Sequence, residues 1–173
     1  MPTICWEHNL HLRVYILQTI MQMKALLTLV LASSLILGYA QTDAVRKTNF
    51  NIKKQVALEG YDPVSYFTNK PEEGNEKIRT SYKGIVYQFA SQANLTKFNA
   101  APDKYEPAYG GWCAYAMGAT GEKVKIDPET FKIINGKLYL FYNFWGNNTL
   151  TDWNAEETKL KDAADKNWKK IIQ

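Results

Sequence analysis

The sequence is poor in the side chains that most often carry out chemistry. It has two histidines, His8 and His11, and two cysteines, Cys5 and Cys113. Beyond position 11 there is no histidine, which excludes a Ser-His-Asp or Cys-His engine there and equally a histidine-ligated zinc site. One cysteine in that long remainder excludes an internal disulfide. Charge of a single sign is lacking as well: 21 Lys and Arg stand against 17 Asp and Glu. The two signs are interleaved, with no basic run that would track phosphates, so nucleic acid is not expected as a partner.

Long apolar runs are absent with one exception. Met23-Lys24 is followed by Ala25 to Leu37, then by Gly38-Tyr39-Ala40 and Gln41. A charge, an apolar core and small residues in this order make a secretory signal peptide over 23–40. The run is short for a membrane span, which needs about 20 residues. The expectation is an exported chain, periplasmic or secreted, with no stable span once the signal is cleaved. Residues 1–22 precede the better start at Met23 and read as an over-extended N-terminus. Cleavage after Ala40 removes Cys5, His8 and His11 together.

What remains is organised around Tyr109-Gly110-Gly111-Trp112-Cys113-Ala114-Tyr115-Ala116-Met117-Gly118. Two adjacent glycines let the backbone turn sharply or another group come close. Trp112 to Met117 reads as a short helix closed by Gly118. In that helix Cys113 and Met117, four apart, share a face.

Around this stretch the chain is read in order. Residues 41–56 are polar and lysine-bearing and are expected to be a tether, leaving 57–173 as the domain. In Gly60-Tyr61-Asp62-Pro63-Val64-Ser65-Tyr66-Phe67, Asp62 caps a short helix or turn whose first position is Pro63 and which buries Val64 and Phe67, the other reading of Asp62 being a metal or acid/base carboxylate. Ile78–Tyr82 and Ile85–Ala90 flank Lys83-Gly84, and Phe131–Ile134 and Lys137–Tyr142 flank Asn135-Gly136; both read as β-hairpins. Ser91 caps a short helix carrying Leu95 and Phe98. A last amphipathic helix, from about Thr151 to Ile171, aligns Trp153, Leu160, Ala164, Trp168 and Ile171. The fold class is α+β: a small antiparallel sheet built from hairpins, packed against short helices and a long C-terminal helix. No internal repeat is apparent in the sequence.

These pieces resemble the YHS domain family in its secreted, longer form. The resemblance is carried by Gly60 to Phe67, Tyr82-Lys83-Gly84, Tyr87 to Ser91, Phe98 and Pro102 to Tyr105, then by Tyr109 to Ala114, Asp127-Pro128, Asn135 to Leu140, and Ala164-Asp165 with Asn167-Trp168. It implies metal handling, because short YHS domains accompany copper transporters and some oxygenases and bind metal through cysteines. The positions matching those cysteines are Ser65, Ala90 and Asn94, and the histidine of the family's name has no counterpart. The resemblance thus implies a retained scaffold whose standard metal site is lost.

Three readings remain open, all describing a binding domain more readily than an enzyme. The first is a soft-metal module holding a copper ion through Cys113 and Met117, since thiolate and thioether donors select Cu(I). The second is a small-molecule binder in which Tyr61, Tyr66, Tyr109, Trp112 and Tyr115 line a pocket beside Gly110 and Gly111. Alternatively, a scaffold for a protein partner would keep Cys113 as a buried structural residue. The third is a thiol enzyme or thiol-based redox sensor with Cys113 at a helix start, where the dipole favours negative charge. The signal-peptide reading predicts a native product that begins at or near Gln41; N-terminal sequencing that finds residues 1–22 intact overturns it.

Overall fold

A computed structural model describes residues 18, 19, 21–24 and 42–173. It contains two units, Met1–Thr42 and Asp43–Gln173. In the first, the described residues 18, 19 and 21–24 are helical, and those with an assigned exposure are exposed. Residues 25–40 of the expected signal peptide, with Cys5, His8 and His11, lie outside the described residues. No helix among the described residues is long and apolar enough to cross a membrane.

The second unit has an α+β architecture. Helix α1 (residues 42–49) leads into the hairpin β1 (Ile52–Lys53) and β2 (Val56–Ala57). The first long hairpin, β3 (Asn75–Tyr82) and β4 (Ile85–Phe89), is followed by α2 (Gln92–Ala100) and α3 (Pro102–Tyr105). After α4 (Ala114–Ala119) come the second long hairpin, β5 (Asp127–Ile134) and β6 (Lys137–Phe141), and the short hairpin β7 (Asn143–Phe144) and β8 (Asn147–Asn148). Helices α5 (Thr149–Ala155) and α6 (Glu157–Ile171) close the chain. Where one small sheet is expected, the hairpins form separate two-stranded antiparallel sheets. Both turn dipeptides behave as their chemistry dictates: Lys83-Gly84 and Asn135-Gly136 take positive φ at both residues, the twist-matched turn of a two-residue hairpin.

The chain is internally duplicated. In the first long hairpin Asn75 pairs with Phe89, the register then shifts, and Arg79 to Tyr82 pair with Gln88 to Ile85. In the second hairpin every partner recurs 52 residues on (75 to 127, 89 to 141), with the same shift at the same place. Each bulge is stitched alike: Asn75 Oδ1 accepts from the Lys77 N–H at 2.9 Å, and Asp127 Oδ1 from the Glu129 N–H at 3.1 Å. Ahead of each hairpin lies the same left-handed triplet, Leu58-Glu59-Gly60 and Tyr109-Gly110-Gly111, all at positive φ. After each triplet an amide donates to a carbonyl just ahead of its hairpin, Asp62 to Glu72 at 2.9 Å and Cys113 to Val124 at 3.0 Å. Even the ring packing repeats. Tyr87 and Phe89 meet Phe98 of α2, while Tyr139 and Phe141 meet Trp153 of α5.

Sequence reading misses the repeat for a physical reason. What is duplicated is mainly backbone geometry and aromatic placement, and the identical residues are few, among them Ala57 and Ala108, Gly60 and Gly111, Gly84 and Gly136, Tyr87 and Tyr139, and Phe89 and Phe141. The β7–β8 hairpin, inserted before α5, also breaks the spacing.

Three further expectations change. Over 43–56 the stretch read as a tether is part of the folded unit: Phe50 and Asn51 are buried, Phe50 meets the Trp168 ring edge-on at 5.8 Å, and Arg46 is paired with Glu106. Polar composition misleads there because the polar groups bond inward, Asn51 Nδ2 donating to the Gly111 carbonyl and Arg46 Nε to the Lys83 carbonyl, both at 3.0 Å. The expected single C-terminal helix is two. Asn148 caps α5 through the Leu150 N–H, and Glu156 leaves helical dihedrals, so that Trp153 and Leu160 both reach the core.

The short central helix is Ala114–Ala119 with Gly118 inside it, and the left-handed glycine that ends it is Gly121. Gly118 serves close packing, since a Cβ there would sit 2.4 Å from the Leu160 carbonyl oxygen of α6. Gly118→Ala is expected to push α4 off α6 and destabilise by about 1–3 kcal/mol. Gly136→Ala, with nothing within 4 Å of its Cβ, brings only left-handed strain of about 1 kcal/mol. Equal losses in a thermal melt would contradict the packing role.

Candidate functional site

The two halves each bury one acceptor at the same place. In the first it is Asp62, fully enclosed. Its Oδ1 accepts from the Val64 N–H at 2.8 Å, which is the capping role read from Asp-Pro. Its Oδ2 accepts from the Ala90 N–H at 2.9 Å and from Asn94 Nδ2 at 2.7 Å. Ser65 joins from the other side, donating its hydroxyl to the Asp62 carbonyl at 2.7 Å and accepting the Glu72 N–H at 3.0 Å. Ser65, Ala90 and Asn94, scattered in sequence, therefore converge on one residue, Ala90 and Asn94 on its carboxylate and Ser65 on its backbone carbonyl.

In the second half the position of Asp62 belongs to Cys113, also fully enclosed. Its Sγ accepts from the Tyr142 N–H at 3.4 Å, and Tyr142 lies 52 residues past Ala90 (90 to 142). Thr149, in the first turn of α5, replaces Asn94 as the side-chain partner at 3.5 Å. The Thr149 hydroxyl donates to the Tyr142 carbonyl at 2.9 Å, which leaves its oxygen free to accept from the thiol. Cys113 is thus a packed and hydrogen-bonded group, with no open side for a reagent.

Met117 is equally enclosed, but in another part of the core. It packs with Tyr109, Tyr139, Phe141 and Trp153, whereas Cys113 packs with Leu58, Tyr87, Phe98 and Leu138. Cys113 sits just ahead of α4 in non-helical backbone rather than on its face, and the two donors fall in separate clusters. Among the described residues no group of three or more His, Cys, Asp or Glu could hold a metal ion.

The aromatic residues read as a pocket lining are dispersed. Tyr66 is buried and donates to the Pro128 carbonyl at 3.0 Å; burial, then the charges of its neighbours, pushes its hydroxyl far above the usual range and keeps it a neutral donor. Tyr61 lies near it, 3.4 Å from Glu129 Oε1, and is raised by burial and then by that carboxylate. Tyr109 sits elsewhere, donating to Asp165 Oδ1 at 2.9 Å, with its hydroxyl raised by burial first and by that hydrogen bond second. Trp112 Nε1 donates to the Asn49 carbonyl at 2.6 Å, and Tyr115 is half-buried beside α6. Around Gly110 the protein packs closely, and a Cβ at Gly111 would meet Pro107 at 3.6 Å. A Cβ at Gly110 would meet Trp168 at 2.8 Å and Phe50 at 3.0 Å, so the space is filled by the protein itself.

Sequence reading overlooks the first half's polar network beyond Asp62. Glu106, buried, accepts from Tyr87 at 2.7 Å and pairs with Arg46. A buried glutamate between Tyr105 and Pro107 carries no local pattern, since its partners come from α1 and β4.

Comparison with curated proteins and with solved structures finds no match. The YHS domain family matches over residues 64–109, from just after Asp62 to the start of the second left-handed triplet. The match covers the first hairpin and both of its following helices and stops where the repeat begins again. Over residues 64–109, within the first half of the duplicated unit, the chain is similar to the YHS domain family.

Proposed function

We propose that the chain is an exported, non-enzymatic binding module whose YHS metal locus has been closed by hydrogen bonds. The observation that carries this reading is the convergence of Ser65, Ala90 and Asn94 on Asp62. Where the family resemblance implies cysteines, this chain offers a hydroxyl, a methyl side chain and an amide. Each pairs with Asp62 through its backbone or side chain and supplies no soft donor. These residues do not fit a copper ion.

The alternative soft-metal pair, Cys113 with Met117, receives little support from the geometry. A metal bridging them would have to draw a fully buried thioether out of one aromatic cluster and break the two hydrogen bonds at the Cys113 sulfur. A redox role for Cys113 meets the same obstacle, because thiol chemistry requires access.

Titration of reduced protein with Cu(I) against a competing chelator tests the reading. The expected result is no copper retained by the parent and a Cys113 thiol that reacts with a disulfide reagent only after denaturation. Asp62→Ala is expected to lower stability by about 3 kcal/mol or more, with or without copper, because it leaves the Ala90 amide and the Asn94 side chain without their acceptor. Stoichiometric copper binding lost in both Cys113→Ser and Met117→Leu would overturn the proposal.

A further inference from the structure

The duplication supplies an internal control for cavities, since a hollow present in one half and filled in the other marks a local departure from the shared plan. One such hollow, of about 330 Å³, lies beside the first left-handed triplet. It is lined by Lys53, Lys54, Glu59, Gly60, Glu73, Gly74, Glu76 and Gln88 among others. The second-half counterpart of Gln88 is Leu140 (88 to 140) and that of Gly74 is Ile126 (74 to 126), both fully buried apolar residues. The first half has replaced a core leucine by an amide and a core isoleucine by bare backbone.

Gln88 is only 8% exposed, and among the described residues nothing is hydrogen-bonded to its side-chain amide. Its amide atoms are not fully enclosed; they open onto the hollow, where they are free to bond to whatever enters it. It faces the hollow, at the point where the bulge of β3 at Glu76–Ile78 loosens the hairpin. The backbone is fitted closely around it: a Cβ on Gly74 would lie 2.5 Å from the Gln88 Cβ, and one on Gly60 3.0 Å from Oε1.

The charges around the amide are unevenly paired. Lys53 and Glu59 form an ion pair at 2.6 Å. Among the described residues Lys54, Glu73 and Glu76 form none, which leaves two carboxylates, one ammonium and one amide facing the space. Glu59, Glu73 and Glu76 do not approach closely enough to hold a metal ion.

We infer that this hollow is a binding site for a small zwitterion of the free α-amino acid class. Its ammonium group is held by Glu73 and Glu76, its carboxylate by Lys54, and Gln88 supplies a donor and an acceptor from below. The volume falls within the range of small-molecule sites. The inference is independent of the closed metal locus, because none of Ser65, Ala90 and Asn94 lines the hollow.

Amide NMR of the full chain, titrated separately with L-glutamine, L-lysine and L-glutamate, tests it, with putrescine and acetate as probes carrying one charge type each. Saturable shifts at Gly60, Gly74 and Gln88 are expected with at least one amino acid, and weaker binding of putrescine and acetate. Gln88→Leu, which installs the residue of the other half, should weaken binding about tenfold or more. The paired change Glu73→Gln with Glu76→Gln should do the same, and being on the rim it reads the site even where Gln88→Leu perturbs the fold. Absence of saturable shifts with all three amino acids, equal binding of putrescine, or unchanged affinity in the Glu73/Glu76 variant would overturn the assignment.

Discussion

The unit depends on one repeated constraint: a buried acceptor that receives the amide just past the end of a hairpin strand. The Ala90 N–H would be orphaned without Asp62, while the Tyr142 N–H is shared between Cys113 Sγ and the Thr149 hydroxyl. An unpaired buried amide costs on the order of 1–3 kcal/mol. The acceptor can reach that amide only because the chain ahead of it turns through three left-handed residues, two of them non-glycine in the first half. Such strain persists where surrounding contacts over-determine it. Here those contacts are the strand-end hydrogen bonds and the burial of Leu58 and Tyr109.

The same frame tolerates quite different acceptors. A carboxylate with three hydrogen bonds, in the first half, is strong and directional, and it recruits Asn94 and holds the following helix in place. A thiol is a weaker acceptor at longer range, and the second half adds Thr149 as a separate bridge between Cys113 and Tyr142. The weaker sulfur contact is accompanied by more apolar packing, with Trp153, Leu160 and Ala164 of α5 and α6 over Met117 and Phe141. The two halves solve one problem with electrostatics in one case and burial in the other.

How much of this was legible depended on whether the signal was local. The hairpins at Lys83-Gly84 and Asn135-Gly136 and the Ser91 cap are written in adjacent residues and are found as read, while the helical turn after Asp62 begins at Ser65, two residues later than Pro63, with Asp62 bonding the Val64 N–H ahead of it. The family resemblance was legible because the Gly60–Phe67 and Tyr82–Ser91 motifs are compact in sequence. What escaped was held at long range. Helix spacing suggests one shared face for Cys113 and Met117, but the helix begins only at Ala114, and two separate clusters receive the two side chains. The polarity of 41–56 is real, yet its polar groups are satisfied by Gly110, Gly111 and Glu106, about 60 residues away in the chain.

The duplication also changes what an unusual residue means. Taken alone, Gln88 in a strand of Ile85-Val86-Tyr87-Gln88-Phe89 is a polar interruption that many cores accommodate with a partner. Set beside Leu138-Tyr139-Leu140-Phe141 it becomes a substitution within a shared backbone, at a position where leucine is compatible with full burial. The leucine of the second half is fully enclosed, whereas the amide of the first half opens onto the hollow. Natural sequences tend to depart from local consistency where function demands it. The departure of the first half from the second, at Gln88 and Gly74 together, is of that kind, and it falls within the segment that matches the YHS family.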